Sequence, residues 1–480
     1  MAQKKPFYIT TTLPYVNDRP HIGHALEFVQ ADALARYRRL TGHDVFLNFG
    51  TDEHGQKILT DAQSARQDPQ DFADFYSETF RGMREVLDFS FDRFVRTTDP
   101  DHKLAAQEMW RRCLANGDIY KKNYSVKYCV GCEMEKTDSE LTDGRCPLHP
   151  NQELEIRDEK NYFFSFSKYA DQLLRLWNTG DFVVPDYRLN ELRALVAEHG
   201  LQDFSISRLA SKMPWGVPVP DDPEHTMYVW FDALTNYVST LGWPDDDQNF
   251  SKFWTGQQNC VQLAGKDQVR QQAAMWQAML LSAGLPTTGQ ILIHGFINVD
   301  GQKMSKSVGN VIDPLSLVEK YGTDALRYYL LRHVHPFEDS DMSFDKFHEL
   351  YTAHLVNGLG NLTSRILTLS EQYCDTPPTP PTIDLTESLG IELDNYRFDQ
   401  ALDNIWNQIA ELDTFITDTE PFRVVKNDLE KGKDLITVAV TRLATIAQLL
   451  APFMPTTSAT MLQYIANNHK PTAPIFPRLV

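Results

Sequence analysis

Two short motifs in this chain carry groups suited to phosphate chemistry. His21-Ile22-Gly23-His24 follows an aromatic, β-branched run and precedes an amphipathic stretch, which puts it between a strand and a helix. Backbone N–H groups at a helix N-terminus attract phosphate, and a glycine permits close approach. Two histidines three apart share one side of such a turn and could both reach a polyphosphate. Lys303-Met304-Ser305-Lys306-Ser307 follows a strand and the turn Asp300-Gly301. Two lysines three apart on that loop could surround a pentacoordinate phosphorus and take up its developing charge. Alone, the first motif could be a pair of surface histidines and the second a solvated lysine loop. One chain holding both is far more specific.

A third constellation is a metal signature. Cys129-x-x-Cys132, then thirteen residues, then Cys146-x-x-His149 supplies two short-spaced ligand pairs. That spacing gives a closed tetrahedral Cys₃His zinc site with no position left for water, so its role is structural. A disulfide alternative leaves one of the three cysteines unpaired. With no export signal after Lys4 and Lys5, the clustering favours metal over disulfides. Cys113, Cys260 and Cys374 stand apart and read as ordinary buried thiols.

The elements that must position these groups read as α/β. Phe7 to Thr12 is a buried strand, and Pro14 to Pro20 a turn. Leu26, Val29, Ala33, Tyr37 and Leu40 recur at helical spacing, with Gly42 as the C-terminal cap. Val45 to Phe49 is a second strand, which completes a βαβ unit. A parallel sheet with ligands at its carboxyl ends is therefore expected. Residues from about 120 to 225 break this pattern and contain the cysteine cluster, as an inserted domain would. Strands are expected again at Thr226 to Trp230 and Ile291 to His294. Beyond about Phe344 the chain reads as helical, with Phe398, Leu402, Ile405, Ile409 and Leu412 on one face. Ile436, Val440, Leu443, Ala447 and Leu450 form another such face, and the prolines of 376–381 make a stiff connector. The divisions expected are 1–119 and 226–320 for the two halves of the α/β domain, 120–225 for the insertion, 321–343 for a connection and 344–480 for a helical domain.

Composition narrows the class. The 480 residues are too many for one core, and 42% hydrophobic with 23% charged is a soluble globular balance. No apolar run approaches the roughly 18 residues that span a bilayer. A cytoplasmic protein without a membrane partner is expected. The net charge of −19 taken alone argues against a nucleic-acid partner. Total charge says little about one local patch, however, and acidity elsewhere suppresses nonspecific RNA binding.

Together these motifs resemble the class I methionine–tRNA ligases. Leu13-Pro14-Tyr15, Gly50-Thr51-Asp52-Glu53-His54-Gly55 and Tyr228-Val229-Trp230-Phe231-Asp232-Ala233 match family stretches in order, as do Gly265-Lys266-Asp267 and Phe476-Pro477-Arg478. The resemblance implies a split Rossmann-type parallel sheet with an inserted zinc-binding connective domain, followed by an α-helical anticodon-binding bundle. It implies that Asp52 meets the ammonium of methionine, and that Leu13, Tyr15, Trp230, Tyr237 and Trp276 form the pocket for its side chain. Rings around a thioether are apt, since sulfur packs well at ring edges. His21, His24, Lys303 and Lys306 would carry the catalysis, and Gly23, Asp267 and Ser305 would join them around ATP and its Mg²⁺. Asn361 and Arg365, four apart on one helix face, would read the anticodon of tRNA(Met), where amide and guanidinium groups suit splayed bases. Three positions depart from the family. Phe422 stands where a stacking tryptophan is usual, and it can still stack a base. Gln268 and Gln272 stand beside the pocket in place of the usual isoleucine and histidine, and are expected to pair with each other. No further domain is expected after the bundle, and with it a monomer. Two alternatives stay open: another class I ligase or nucleotidyltransferase, and a catalytically silent RNA-binding paralogue.

Overall fold

The computed structural model describes residues 4–136, 140–255, 259–304, 309–376 and 378–479. Ser305 and Lys306 lie outside these residues. The first strand, β1 (Pro6–Thr10), is followed by helix α1 (Ile22–Leu40) and strand β2 (Asp44–Thr51), as the periodicity indicates. Thr41 caps α1 and Gly42 follows it at φ +87°, a left-handed turn that glycine adopts without strain. Strand β3 (Arg93–Arg96) pairs parallel with β2, and β2 with β1.

On the other side of β1 the strand Cys260–Gly265 pairs parallel, and Gln290–His294 pairs parallel with it in turn. The order of the sheet therefore reverses direction at β1, and ligands bind at such a switch point, outside the carboxyl ends of the strands. The sixth strand, Val183–Val184, comes from the stretch expected to be the insertion and pairs parallel with Gln290–His294. The rest of that stretch builds a four-stranded antiparallel sheet around Ile119–Cys129 and Glu155–Phe164.

One expected strand differs. Thr226 and Met227 end a strand, Asp222–Met227, that pairs antiparallel with Ser207–Leu209, whereas Val229–Ala233 is a short helix. Its β-prone residues are overridden by tertiary contacts: the turn brings Asp232 between two buried histidines, His54 and His102. Cys113 and Cys260 are buried, but Cys374 is only partly so.

The C-terminal region is helical. Phe398–Thr419 and Leu429–Leu449 bury the faces read from the sequence, and Leu450 is buried just beyond the second. Arg327 joins this region to the sheet domain: it pairs with Asp32 of α1 at 2.7 Å and donates to the carbonyls of Phe453 at 2.8 Å and Leu87 at 3.0 Å. Both charges are fully buried, and a buried pair with its remaining donors satisfied holds a fixed geometry. Phe476 is buried against Gly360, and Tyr351 OH donates to Pro477 O at 2.7 Å. Among the described residues no helix is long and apolar enough to cross a membrane.

Candidate active site and metal centre

One cavity of about 410 Å³ opens at the carboxyl ends of β1, β2 and Cys260–Gly265. Leu13, Tyr15, His21, Gly23, His24, Asp52, Trp230, Asp267, Gln268 and Lys303 all line it. Residues from five chain segments thus meet where the sheet order reverses.

His21 is the N-cap of α1. Its Nδ1 accepts from the backbone N–H of Gly23 at 3.1 Å and of His24 at 3.4 Å, while His24 Nδ1 accepts from His21 N at 3.2 Å. This is a reciprocal capping box made by two imidazoles, stacked 3.8 Å apart. With Nδ1 accepting, the neutral ring of His24 carries its proton on Nε2, which makes that nitrogen a donor. Burial, with His21 and His294 nearby, holds the His24 pKa well below the ordinary imidazole value.

Asp52 lines the cavity just beyond β2, 3% exposed, and its Oδ1 has no hydrogen-bond partner among the described residues. Burial raises its pKa well above the usual carboxylate range, and the neighbouring carboxylates of Asp232 and Glu133 push the same way. Asp232 shows the opposite behaviour. Burial alone would raise it, but His54 at 2.6 Å and His102 at 2.8 Å lower its pKa to about 2. Trp230 also lines the cavity, with its indole N–H unpartnered among the described residues. Tyr237, Gln272 and Trp276 do not line the cavity; they lie buried, with the Tyr237 and Trp276 rings 5.7 Å apart. Gln272 Nε2 donates to Gln268 Oε1 at 3.3 Å, the pairing expected from the sequence. Gln268 precedes an irregular stretch, Gln271–Met275, that winds into the helix Trp276–Ser282.

Lys303 lines the cavity with its ammonium 5.3 Å from the centre of the Phe296 ring. Burial raises the pKa of Asp267. Several lining residues escaped sequence reasoning. Glu27 Oε1 accepts from Thr12 N at 2.6 Å and Thr12 Oγ1 at 2.8 Å, and Oε2 meets His294 Nε2 at 3.0 Å. Burial would lower the pKa of His294, but the Glu27 carboxylate raises it. Lys57, Glu133 and Phe296 also line the cavity. The one available signal was Glu27, an acid three residues after His24 within an otherwise apolar helix face.

The metal signature folds into one cluster. The donor atoms of Cys129, Cys132, Cys146 and His149 lie within 4.8 Å of one another, a set that could hold a metal ion. Cys132 and Cys146 sulfurs are 3.4 Å apart, and His149 Nδ1 is 3.7 Å from Cys129, 3.2 Å from Cys132 and 4.0 Å from Cys146. Gly131 makes the close turn possible: a Cβ there would stand 2.5 Å from the His149 ring.

The anticodon candidates lie on the helical region. Asn361 and Arg365 are both exposed on the helix Asn361–Tyr373, and Arg365 pairs with Asp413 at 2.9 Å. Phe422 is half-buried at the start of the helix Pro421–Asn427.

Comparison with known proteins follows the same lines. The family model of the tRNA synthetases class I (M) matches residues 7–155 and 140–367. A methionine–tRNA ligase of Nostoc sp. is 41% identical, across 96% of this chain and 90% of the relative. The ligase of Thermotoga maritima is 39% identical, across 97% of this chain and 76% of the relative. A solved structure, Mycobacterium tuberculosis methionyl-tRNA synthetase in complex with methionyl-adenylate, superposes with a TM-score of 0.91 at 36% identity, covering 99% of this chain and 100% of that one. The fold is that of a class I aminoacyl-tRNA synthetase. Within that class, the chain belongs to the methionine–tRNA ligase family.

Proposed function

We propose that this chain activates L-methionine with ATP and transfers it to the 3′ end of tRNA(Met). The observation that carries the reading is the mix of polar groups in this cavity. A helix N-terminus capped by His21 and His24 lines it, and so does a buried Asp52 with an unpartnered oxygen. A polyphosphate suits the first and an ammonium the second.

In this reading ATP enters as its Mg²⁺ complex with its phosphates over α1. Asp52 holds the ammonium of methionine, beside Leu13, Tyr15 and Trp230, with Tyr237, Gln268, Gln272 and Trp276 forming and backing the side-chain pocket. The methionine carboxylate oxygen attacks the α-phosphorus, and the bond from that phosphorus to the β-bridging oxygen breaks. Methionyl-adenylate and pyrophosphate result. A hydroxyl of the terminal tRNA ribose then attacks the activated carbonyl, giving up its proton and displacing AMP. No side chain acts as nucleophile, so positioning and charge stabilisation supply the acceleration. His24 donates from Nε2 to phosphate oxygen, with His21 beside it and Gly23 allowing close approach. Lys303, Ser305 and Lys306 meet charge developing on the phosphates, and Asp267 closes the nucleotide side.

The knuckle suits zinc. A tetrahedral site with Zn–S and Zn–N bonds of ordinary length separates sulfurs by about 3.8 Å and sulfur from nitrogen by about 3.6 Å. Zinc there ties two turns of the insertion together. Asn361, Arg365 and Phe422 read the anticodon, and the enzyme works as a cytoplasmic monomer. ATP–pyrophosphate exchange across a panel of amino acids tests the reading. Methionine should drive exchange best; another amino acid doing so would leave only the reaction class.

A further inference from the structure

We propose that Glu133 is a positioning residue that couples metal binding at the knuckle to amino-acid binding in the cavity, an inference that rests on reading that cavity as the methionine site. Glu133 directly follows the ligand candidate Cys132. Its φ is +50°, a left-handed conformation that costs a non-glycine residue roughly 1–2 kcal/mol and persists only where its surroundings impose it. The turn directs the side chain inward, where the residue is 6% exposed.

The carboxylate there does work that no nearby residue does. The helix Gln56–Ala65 begins at Gly55 and has no side-chain cap of its own. Glu133 Oε1 accepts from the backbone N–H of Lys57, in the first turn of that helix, at 2.8 Å and across 76 positions of sequence. A carboxylate at a helix N-terminus makes a charge-assisted bond and faces the positive end of the helix dipole. Oε2 accepts from Tyr128 OH, and the Glu133 carbonyl accepts from Tyr228 OH, so the residue is fixed at both ends.

Its other neighbour is the amino-acid end of the cavity. Tyr15 OH lies 3.4 Å from Glu133 Oε1 and donates to His54 O at 2.7 Å. Gly55 leaves room for this contact, since a Cβ there would stand 2.2 Å from the Tyr15 oxygen. The two pocket segments are also laced together, Val16 N to Asp52 O at 3.1 Å and Asp52 N to Pro14 O at 2.9 Å. Glu133 thus braces, from the knuckle side, the loop that carries Tyr15 and the strand end that carries Asp52. When the metal leaves, nothing covalent holds the Cys129–Cys132 turn, and the left-handed Glu133 relaxes. The cap on Gln56–Ala65 is then lost and the strand end at Asp52 loosens. By linkage the effect is reciprocal: methionine must tighten the metal by the same factor.

The test measures the dissociation constant of L-methionine by tryptophan fluorescence, in zinc-loaded and chelator-stripped protein. Wild type, Glu133→Gln and Glu133→Ala are compared, with zinc content and ATP affinity measured on each. Stripping should weaken methionine binding to wild type about tenfold, the equivalent of one charge-assisted bond. Zinc-loaded Glu133→Ala should keep its zinc and be weakened by a similar factor, and stripping should weaken it little further. Glu133→Gln should fall between, because the amide oxygen still accepts from Lys57 but carries no charge. ATP affinity should move less than twofold throughout, which a general loosening of the domain would not allow. Wild-type methionine affinity in zinc-loaded Glu133→Ala, or equal stripping effects in both proteins, overturns the coupling. If the alanine variant does not fold, a glutamine variant that matches wild type in both metal states overturns it equally. Failure of zinc-loaded wild type to bind methionine at all would refute the reading of the cavity instead.

Discussion

Replacing Gln268 by isoleucine, the residue usual at this position in the family, should damage the enzyme. Gln272 is 1% exposed; its Nε2 donates to Gln268 Oε1 at 3.3 Å, and its own Oε1 has no partner. Isoleucine removes that acceptor and leaves a buried amide, already half satisfied, with only the Tyr237 hydroxyl beside it. A stranded buried polar group costs about 1–3 kcal/mol. The present bond is longer than the usual N–H···O distance of about 2.9–3.0 Å, so the lower end applies, about 1–1.5 kcal/mol. Part of that loss lowers folding stability. The rest appears in binding, because Gln268 lines the cavity and its replacement removes the amide that fixes Gln272 behind the pocket wall. The KM for methionine in pyrophosphate exchange should therefore rise by up to about tenfold with kcat little changed. Changing both residues, Gln268→Ile with Gln272→His, removes the stranded amide and should largely restore the KM. A single variant with wild-type KM, or a double variant no better than the single, would refute the pairing as the reason for the two departures.

Four further outcomes are expected. Purified protein should contain one zinc per chain and Cys132→Ser close to none; an unchanged metal content would remove the knuckle assignment. Lys303→Ala and Lys306→Ala should each cut kcat and kcat/KM together by about a hundredfold, as charges acting on the transition state do; a loss of ATP affinity with kcat intact would make them ground-state clamps. Arg365→Ala should impair aminoacylation while sparing pyrophosphate exchange, and since its pair with Asp413 is exposed, stability should change by less than about 1 kcal/mol. Asp52→Asn should keep or raise the Tm at pH 7 while abolishing the thermal shift caused by methionine. The sign follows from linkage: a carboxyl whose folded pKa is raised binds its proton more tightly in the fold, so it destabilises as pH rises above its unfolded value. A lower Tm with the methionine shift intact would contradict this.

The sequence was most legible where one element carries its own signal. The β1–α1–β2 unit, the two long apolar helix faces and the cysteine spacing are each local patterns, and the fold follows them closely. Strand Cys260–Gly265 was not anticipated, because a short run buried on all sides shows neither alternation nor helical period. Val183–Val184 is two residues long and becomes a strand only because the sheet edge is there to receive it. Trp230 misled in the other direction, since aromatic and β-branched content favours strand while the burial of Asp232 demands a turn of helix. The same division holds for the site. His21, His24, Asp52 and Lys303 sit in recognisable motifs and line one cavity. Glu27, His294 and Glu133 are single polar residues whose meaning lies in a partner far along the chain: 267 positions separate Glu27 from His294, and 118 separate Tyr15 from Glu133.

In the proposed reading, the placement of charge bears on why histidine stands beside lysine at the phosphates. A cation that binds pyrophosphate strongly stabilises the nucleotide before reaction and the leaving group after it, which deepens both wells without lowering the barrier between them. A neutral imidazole donating from Nε2 orients an oxygen with less ground-state attraction. The depressed pKa of His24 keeps it in that form, while the positive charge is left to the lysines of a separate motif. At the amino-acid end the logic is reversed. Asp232 has two histidines to offset its charge, whereas Asp52, beside it and near Glu133, has none and is costly to ionise in the empty cavity. An ammonium brought in by the substrate offsets that charge. An amino acid therefore binds where its absence is most unfavourable, and a carboxylic acid without the amino group gains nothing there. In the proposed reading the acidic balance of the whole chain is no obstacle to ATP, because the groups that meet its phosphates are set locally at a helix N-terminus and on the two lysines.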